Sequence, residues 1–84
     1  MITIDVVLNR VPGLPVQDLE RWIFNDWVRP DGGPGDYVFR DIDVARVLLI
    51  YNLRDEMDVN ELAIPVVLLL LDQLYDLRRQ LHGI

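Results

Sequence analysis

The sequence predicts a mainly α-helical domain of about four helices with a small two-stranded β hairpin near its middle. Apolar residues recur at helical spacing on both sides of the midpoint, a Gly/Pro-rich tract interrupts them at residues 31–36, and short runs that favour β structure flank that tract. Eighty-four residues suit one domain with a single core, so we expect residues 1–84 to fold as a unit.

The first eleven residues fit two interpretations. The apolar residues of segment 2–6 alternate as in a β-strand, whereas Thr3 could cap a short helix with an apolar face. We predict a helix from about Thr3 to Arg10. The proline-rich segment 12–15 ends that element, because proline cannot continue a helix but is tolerated in the first turn of the next one.

The second predicted helix runs from about Pro15 to Asp26, with apolar Leu19, Ile23 and Trp27 at a spacing of four. Aromatic residues are frequent in this half of the chain. At helical and strand spacing we expect them in the core, and an exposed Trp or Phe would next serve as an anchor for a protein partner. These rings belong to Trp22, Phe24, Trp27, Tyr37 and Phe39.

Residues 31–36 predict a hairpin tip, because their glycines permit positive φ and Pro34 cannot donate to a β ladder. Val28-Arg29 and residues 37–39 flank the tip as short strands. Together they predict a β wing over about residues 28–40. A helix, a hairpin and a further helix in this order are typical of a winged helix-turn-helix domain.

The third predicted helix begins after Asp41, whose carboxylate can cap the free amides of the first turn. It runs from Ile42 to about Glu56. Its sequence is apolar nearly all round, so periodicity does not identify the face that packs on the core.

The fourth predicted helix begins near Asp58 and runs to about residue 82. Asp58 and Glu61 have the spacing of a capping box, in which each side chain accepts a hydrogen bond from the other's backbone amide. Met57 and Leu62 are placed as the accompanying hydrophobic staple. Pro65 is expected to kink the second turn or to loosen the first.

One face of the fourth helix carries apolar residues at alternating spacings of three and four, the pattern of a coiled-coil seam. Its members are Val67, Leu70, Leu74, Leu77, Leu81 and Ile84. Two interpretations remain open. Either the first half of the seam packs on the core and its last members, Leu77, Leu81 and Ile84, merely fray, or the segment from Leu74 to Ile84 projects beyond the core and pairs with a partner helix, most simply a second copy in a weak homodimer.

The opposite face of that helix is acidic, and its Asp72 and Asp76, one turn apart, repel each other. Such charges usually form a solvated surface. A basic ligand would relieve the repulsion, so a partner-binding patch is the alternative. Its candidate residues are Asp55, Glu56, Glu61, Asp72 and Asp76.

The chain as a whole is acidic, with a formal net charge of −6, a pI near 4.4 and no lysine. The stretch from Pro15 to Arg40 holds five carboxylates and three arginines, a net charge of −2, although it would face DNA in a DNA-binding winged helix. Affinity for DNA depends on Lys and Arg that release counterions. We therefore expect a basic protein partner rather than nucleic acid or a membrane.

The residue types that most catalytic and metal sites need are scarce. Cys and Ser are absent, His82 is the single histidine, and no lysine follows the hairpin glycines to hold a phosphate. We expect no enzymatic activity, cofactor or metal. No basic signal-peptide segment precedes the first apolar run, and the densest apolar run, residues 64–71, is far shorter than the ~20 residues of a membrane span, so we expect a cytoplasmic protein.

The spacing of one set of residues resembles that of MerR-like winged helices over most of the chain. The matching residues are Thr3-Ile4, Leu14, Leu19, Trp27-Val28-x-Pro30, Tyr37-x-Phe39, Val44, Val47, Ile50 and Leu53-Arg54. A second set resembles the chaperone-modulator branch, the CbpM-like family, more than the DNA-binding branch. That set is Leu53-Arg54-x-Glu56 and Leu68-x-Leu70-Leu71-Asp72-x-Leu74-x-x-Leu77.

This resemblance implies a chaperone modulator that binds the J-domain of a DnaJ/CbpA-like co-chaperone, blocking both its stimulation of Hsp70 and its association with DNA. J-domains meet Hsp70 through a basic helix, so an acidic inhibitor is electrostatically suited to compete for it. The alternative is a MerR-like transcriptional regulator whose Arg21, Arg29 and Arg40 contact phosphates.

Overall fold

The computed structural model describes residues 1–82, and over them the chain forms four α-helices. They are α1 (Ile4–Arg10), α2 (Val16–Phe24), α3 (Asp41–Tyr51) and α4 (Ile64–His82). A π-helical segment, Asn52–Glu56, continues α3 directly. The mainly helical class is confirmed, and so is a helix rather than a strand over residues 4–10.

The core lies where α2, α3 and the first turns of α4 meet. Leu19 and Trp22 of α2 are fully buried, and Val47 and Ile50 of α3 are buried against them. The inward face of α3, which periodicity could not identify, is therefore the one that carries these two residues. The remaining buried apolar residues are Val7, Val11, Leu14, Val28, Phe39, Ile64 and Leu68.

Helix α2 ends at Phe24, slightly earlier than predicted, in a Schellman motif. The amide of Trp27 donates to the carbonyl oxygen of Trp22 at 2.9 Å, and the amide of Asp26 donates to that of Ile23 at 3.0 Å. Asp26 has a φ of 61°, the left-handed conformation that this motif requires and that glycine adopts most easily. The chain then turns into the hairpin.

The hairpin is held by two isolated antiparallel pairs. Asp31 and Val38 exchange two N–H···O bonds of 2.9 Å, and the amide of Phe39 donates to the carbonyl oxygen of Ile2 at 2.8 Å. The prediction of Val28-Arg29 as the first strand is wrong, because Val28 is buried in the core and Asp31 is the paired residue. Over residues 1–82 these two bridges do not extend into strands, so the predicted two-stranded β wing over about residues 28–40 is not confirmed.

One glycine is essential at the hairpin tip. Gly32 has a φ of 83°, and a Cβ atom there would lie 2.4 Å from the carbonyl oxygen of Asp36. Gly33 has open space around the same position. A side chain is therefore excluded at position 32 by backbone geometry but not at position 33.

Helix α3 begins one residue earlier than predicted, because Arg40 rather than Asp41 occupies the N-cap. The backbone amide of Arg40 donates to Asp43 Oδ2 at 2.9 Å, and its guanidinium Nε donates to the same oxygen at 3.2 Å. Asp43 is only 4% exposed, so Arg40 matches the charge of a buried carboxylate. The hydrogen bond to Asp43 raises the pKa of Arg40.

The stretch between α3 and α4 does not form the predicted capping box. Asp58 has a φ of 54° and closes the π-helical segment, where the amide of Val59 donates to the carbonyl oxygen of Leu53 at 2.8 Å. Asn60 opens the following turn, because its Oδ1 accepts from the amide of Leu62 at 2.9 Å. Asp58 thus ends a helix and does not begin one.

Helix α4 begins at Ile64, well after the predicted start at Asp58. Pro65 therefore lies in the first turn, where a missing amide costs no intrahelical bond, and the predicted kink in the second turn does not apply. Met57 and Leu62 are 68% and 86% exposed, so they do not form the predicted staple.

Most of α4 projects beyond the core. Ile64 and Leu68 are buried, whereas every residue from Leu69 to Leu81 is exposed. The radius of gyration is 13.6 Å, and the extents are 40 × 30 × 20 Å. A compact domain of this length would have a radius of about 12 Å. Both interpretations of the seam agree with this exposure; Ile84, the last residue of the predicted seam, lies outside the described residues.

Candidate protein-binding surfaces

Two residues of the predicted acidic patch, Asp55 and Glu61, form ion pairs with the same arginine, Arg54. Arg54 is mostly buried, and its guanidinium donates to Asp55 at 2.7 Å, to Asp18 at 2.8 Å and to Glu61 at 3.3 Å. Its Cζ atom also lies 5.1 Å from the ring centroid of Trp22, within cation–π range. The hydrogen bond to Asp55 is the main cause that raises the pKa of Arg54.

A second arginine completes this cluster from α2. Arg21 donates to Asp18 at 3.1 Å and to Glu61 at 2.5 Å, and the bond to Glu61 is the main cause that raises the pKa of Arg21. Three carboxylates therefore share two guanidinium groups. The net charge of this cluster is −1, and each of its carboxylates already pairs with an arginine, so it offers a basic partner little free negative charge.

Asp72 lies apart from this cluster and forms an ion pair with Arg46 of α3. Arg46 donates to its two carboxylate oxygens at 2.8 Å and 3.2 Å, and its Nε donates to the carbonyl oxygen of Trp27. This bidentate pair links α3 to α4 beyond the core. Asp76 pairs with Arg79 at 3.5 Å on the exposed helix surface, and Glu56 is exposed. The five candidate carboxylates are thus distributed over several sites, and four of them pair with arginines.

The arginines of the DNA-binding alternative are also accompanied by acids. A small polar depression of about 250 Å³ gathers Arg29, Arg40 and Arg46, and three aspartates line it with them, namely Asp26, Asp43 and Asp72. Arg21 is held in the cluster around Arg54. Over the described residues, helix α2 and the hairpin therefore do not present an exposed cationic ridge.

A large open groove lies between α1, α2 and the hairpin, with a volume of about 1230 Å³. We call it the α2 groove. Its walls include Ile4, Val16, Glu20, Phe24, Asp36 and Tyr37. It combines apolar and acidic side chains, among them Phe24 and Glu20.

The α2 groove contains an aromatic ring that we expected in the core. Trp22 and Phe39 are buried as expected, but Phe24 is 87% exposed. Phe24 lies five residues after Leu19, which turns it by about 140° from the buried side of α2 at 100° per residue. A helical projection of α2 alone could therefore have identified this exposed ring.

A second groove lies between α3 and the projecting part of α4, with a volume of about 390 Å³. We call it the α3–α4 groove. It is lined mainly by apolar side chains, which include Ile42, Ala45, Leu49, Leu71, Leu74 and Tyr75. The paired side chains of Arg46 and Asp72 form part of the groove wall. Leu74, a member of the predicted seam, thus also faces this groove.

The predicted seam is accessible from Leu70 onward, whereas Val67, its first member, is partly buried. Leu70, Leu74, Leu77 and Leu81 are each more than half exposed. They lie roughly a third of a turn around α4 from the buried side that carries Ile64 and Leu68. The seam is therefore an apolar stripe separate from the one that packs on the core.

Among the side chains of the described residues, no group of three or more acidic or histidine residues is arranged to hold a metal ion. No helix of this part of the chain has both the length and the apolar character that a membrane span requires.

Comparison with protein-family models, with curated proteins and with solved structures finds no match to the chain.

Proposed function

We propose that the protein is a non-enzymatic, cytoplasmic chaperone modulator that binds the J-domain of a DnaJ/CbpA-like co-chaperone and restrains it. The resemblance to the CbpM-like family suggests this role. Within this proposal, α2 and the bridged hairpin correspond to the helix and β wing of a MerR-like winged helix. The protein would act by occupying the basic helix of the J-domain, so that Hsp70 cannot use it.

The charge distribution on α2 and the hairpin is the observation that carries the proposal. Arg21 and Arg40, which a DNA-binding domain would offer to phosphates, are bound to Glu61 and Asp43. The chain keeps a net charge of −6. A surface of this kind repels a phosphate backbone and attracts a basic protein. A protein partner is thus favoured over duplex DNA.

Binding of the purified protein to an intact J-domain co-chaperone tests this role. We expect complex formation at about 50 mM NaCl and clear weakening at about 300 mM, because exposed charges are screened over a shorter distance as salt increases. Addition of the protein should lower J-domain-stimulated ATP hydrolysis by Hsp70 and leave basal hydrolysis unchanged. Absence of binding at low salt, or binding that salt does not affect, would contradict the proposal.

A gel-shift assay with total genomic DNA tests the alternative function. We expect no shift at any ionic strength. A shift that weakens steeply with salt would support a DNA-binding regulator instead.

We also propose that the exposed seam of α4 pairs with a second copy in a weak homodimer. The accessible leucines, Leu70, Leu74, Leu77 and Leu81, support this proposal independently of any charge argument. The described helix beyond Leu69 is short for a coiled coil, so we expect a dimer that dissociates at low protein concentration.

A further inference from the structure

We infer that the α2 groove is the docking site for the basic partner, and that it accepts one amphipathic basic helix with its apolar side against Phe24. The identity of that helix as part of a J-domain rests on the proposed function. The groove itself is argued from its exposed apolar residues, its charge and its shape.

The apolar contacts of the groove centre on exposed side chains. Phe24 is 87% exposed and Met1 is 95% exposed, while Val16 is partly exposed. A large aromatic ring in water is an unfavourable arrangement that a partner can relieve, and such rings often dominate the energetics of interfaces. Phe24 is therefore suited to be the anchor residue of the interface.

The charges of the groove select a basic partner. Asp5, Glu20 and Asp36 line it, and among the described residues none of these three forms an ion pair with an arginine. Arg21 is the basic residue of the lining, and its guanidinium is already held by Asp18 and Glu61. The groove thus has the uncompensated negative charge that the predicted acidic patch lacks.

The size of the groove suits a helix better than a small molecule. Its volume of about 1230 Å³ is larger than that of most small-molecule pockets, which measure about 300–1,000 Å³. An α-helix with its side chains is about 10–12 Å across and can lie in such an open groove along one face. Lys and Arg on its flanks would then reach the acidic residues of the walls.

The walls of the groove are also fixed before binding. Helix α2 is anchored by the buried Leu19 and Trp22, and the hairpin is pinned by the bridges of Val38 with Asp31 and of Phe39 with Ile2. A preformed site loses less conformational freedom on binding. The α3–α4 groove has a mainly apolar lining and lacks this acidic character, so it is a poorer match for a basic helix.

Isothermal titration of the full-length protein with an intact J-domain co-chaperone tests the inference. We expect Phe24→Ala to weaken binding about tenfold or more. We expect the double variant Glu20→Gln/Asp36→Asn to weaken it about fivefold and to reduce its dependence on salt. Leu62→Ala and Glu56→Gln remove exposed side chains outside the groove and serve as matched controls, with affinity expected to change less than about twofold. Circular dichroism melting of each variant checks the fold.

The outcomes separate this inference from the proposed function. If the wild-type protein binds the co-chaperone and Phe24→Ala binds equally well, the α2 groove is wrong and the proposed function stands. If the wild-type protein does not bind, the proposed function is wrong, and a synthetic amphipathic Lys/Leu helix then tests the groove by NMR chemical shifts. Shifts confined to the lining of the α2 groove would support the inference, and shifts elsewhere or none would overturn it.

Discussion

The two parts of α4, residues 64–68 and residues 69–81, have opposite environments. Residues 64–68 and residues 69–81 are both rich in branched apolar side chains, yet the first segment supplies Ile64 and Leu68 to the core and the second is exposed throughout. The difference arises from the neighbouring elements. Ile64 and Leu68 cluster with buried residues of α2 and α3, whereas beyond Leu69 helix α3 flanks α4 only across the open α3–α4 groove. A leucine-rich helix is buried only as far as other elements extend beside it, and its remainder is available to another chain.

The largest expected difference between the two halves is in stability. Ile64→Ala should lower the free energy of unfolding by about 3 kcal/mol, because it leaves a cavity in a fully buried position. Leu81→Ala, at an exposed position, should lower it by less than about 0.5 kcal/mol. Urea denaturation measures both values. Equal losses would mean that the far end of α4 is packed after all.

Homodimer formation should depend on the exposed part of α4 and not on its buried first turns. Leu77→Glu introduces a charge into the seam and should raise the dissociation constant of the homodimer at least about tenfold, with little change in the stability of the monomer. Sedimentation equilibrium over a range of concentrations measures this effect. Leu62→Glu, an equally drastic change at an exposed residue outside α4, is the control. A wild-type protein that stays monomeric at high concentration would remove the dimer from the proposal.

Removal of the ion pair that links α3 to the exposed part of α4 should lower stability by a moderate amount. Arg46→Met removes the bidentate pair with Asp72 and the hydrogen bond to Trp27, and should cost about 1 kcal/mol. Hydrogen exchange of the α4 amides beyond Leu69 should become faster. The exposed pair of Arg79 and Asp76 provides the control, because Arg79→Met should change neither quantity measurably. Unchanged exchange in Arg46→Met would show that the pair does not hold α4 in place.

The smallest expected effect is a gain in stability at the end of α2. Asp26→Gly should raise the free energy of unfolding by about 0.5–1 kcal/mol, because glycine adopts a left-handed φ with less strain than aspartate. Thermal melting measures this gain. Affinity for the J-domain co-chaperone should stay unchanged, since Asp26 is not among the residues that line the α2 groove. A loss of stability would mean that the Asp26 side chain contributes more than its backbone conformation costs.

Helix boundaries were predictable where local patterns decide them. The turn at Gly32 follows from turn chemistry, and the helix over residues 4–10 is one of the two interpretations that the local pattern allowed. The start of α4 did not follow from such a pattern. Asp58 and Glu61 have capping-box spacing, but Asp58 adopts a left-handed conformation and Glu61 pairs with Arg21 and Arg54, residues distant in the sequence. Local propensity was overruled by tertiary ion pairs.

The candidate site shows the same division. Sequence reasoning identified acidic character and an exposed seam, and it considered an exposed aromatic anchor. It could not determine which carboxylates keep an arginine partner, because Asp72 and Arg46 are far apart in the chain and meet only when α4 packs beside α3. The uncompensated acids around Phe24 therefore became apparent only from the folded arrangement.

The sequence by itself determined a small acidic chain without lysine, cysteine or serine, with helix-forming segments around a glycine-rich hairpin. These properties depend on composition and on local spacing, which a linear pattern contains in full. Only the tertiary structure decided which charges are neutralised, which apolar faces are covered and where an open groove remains. Those properties depend on distances between residues remote in the chain, and such distances exist only once the helices have packed.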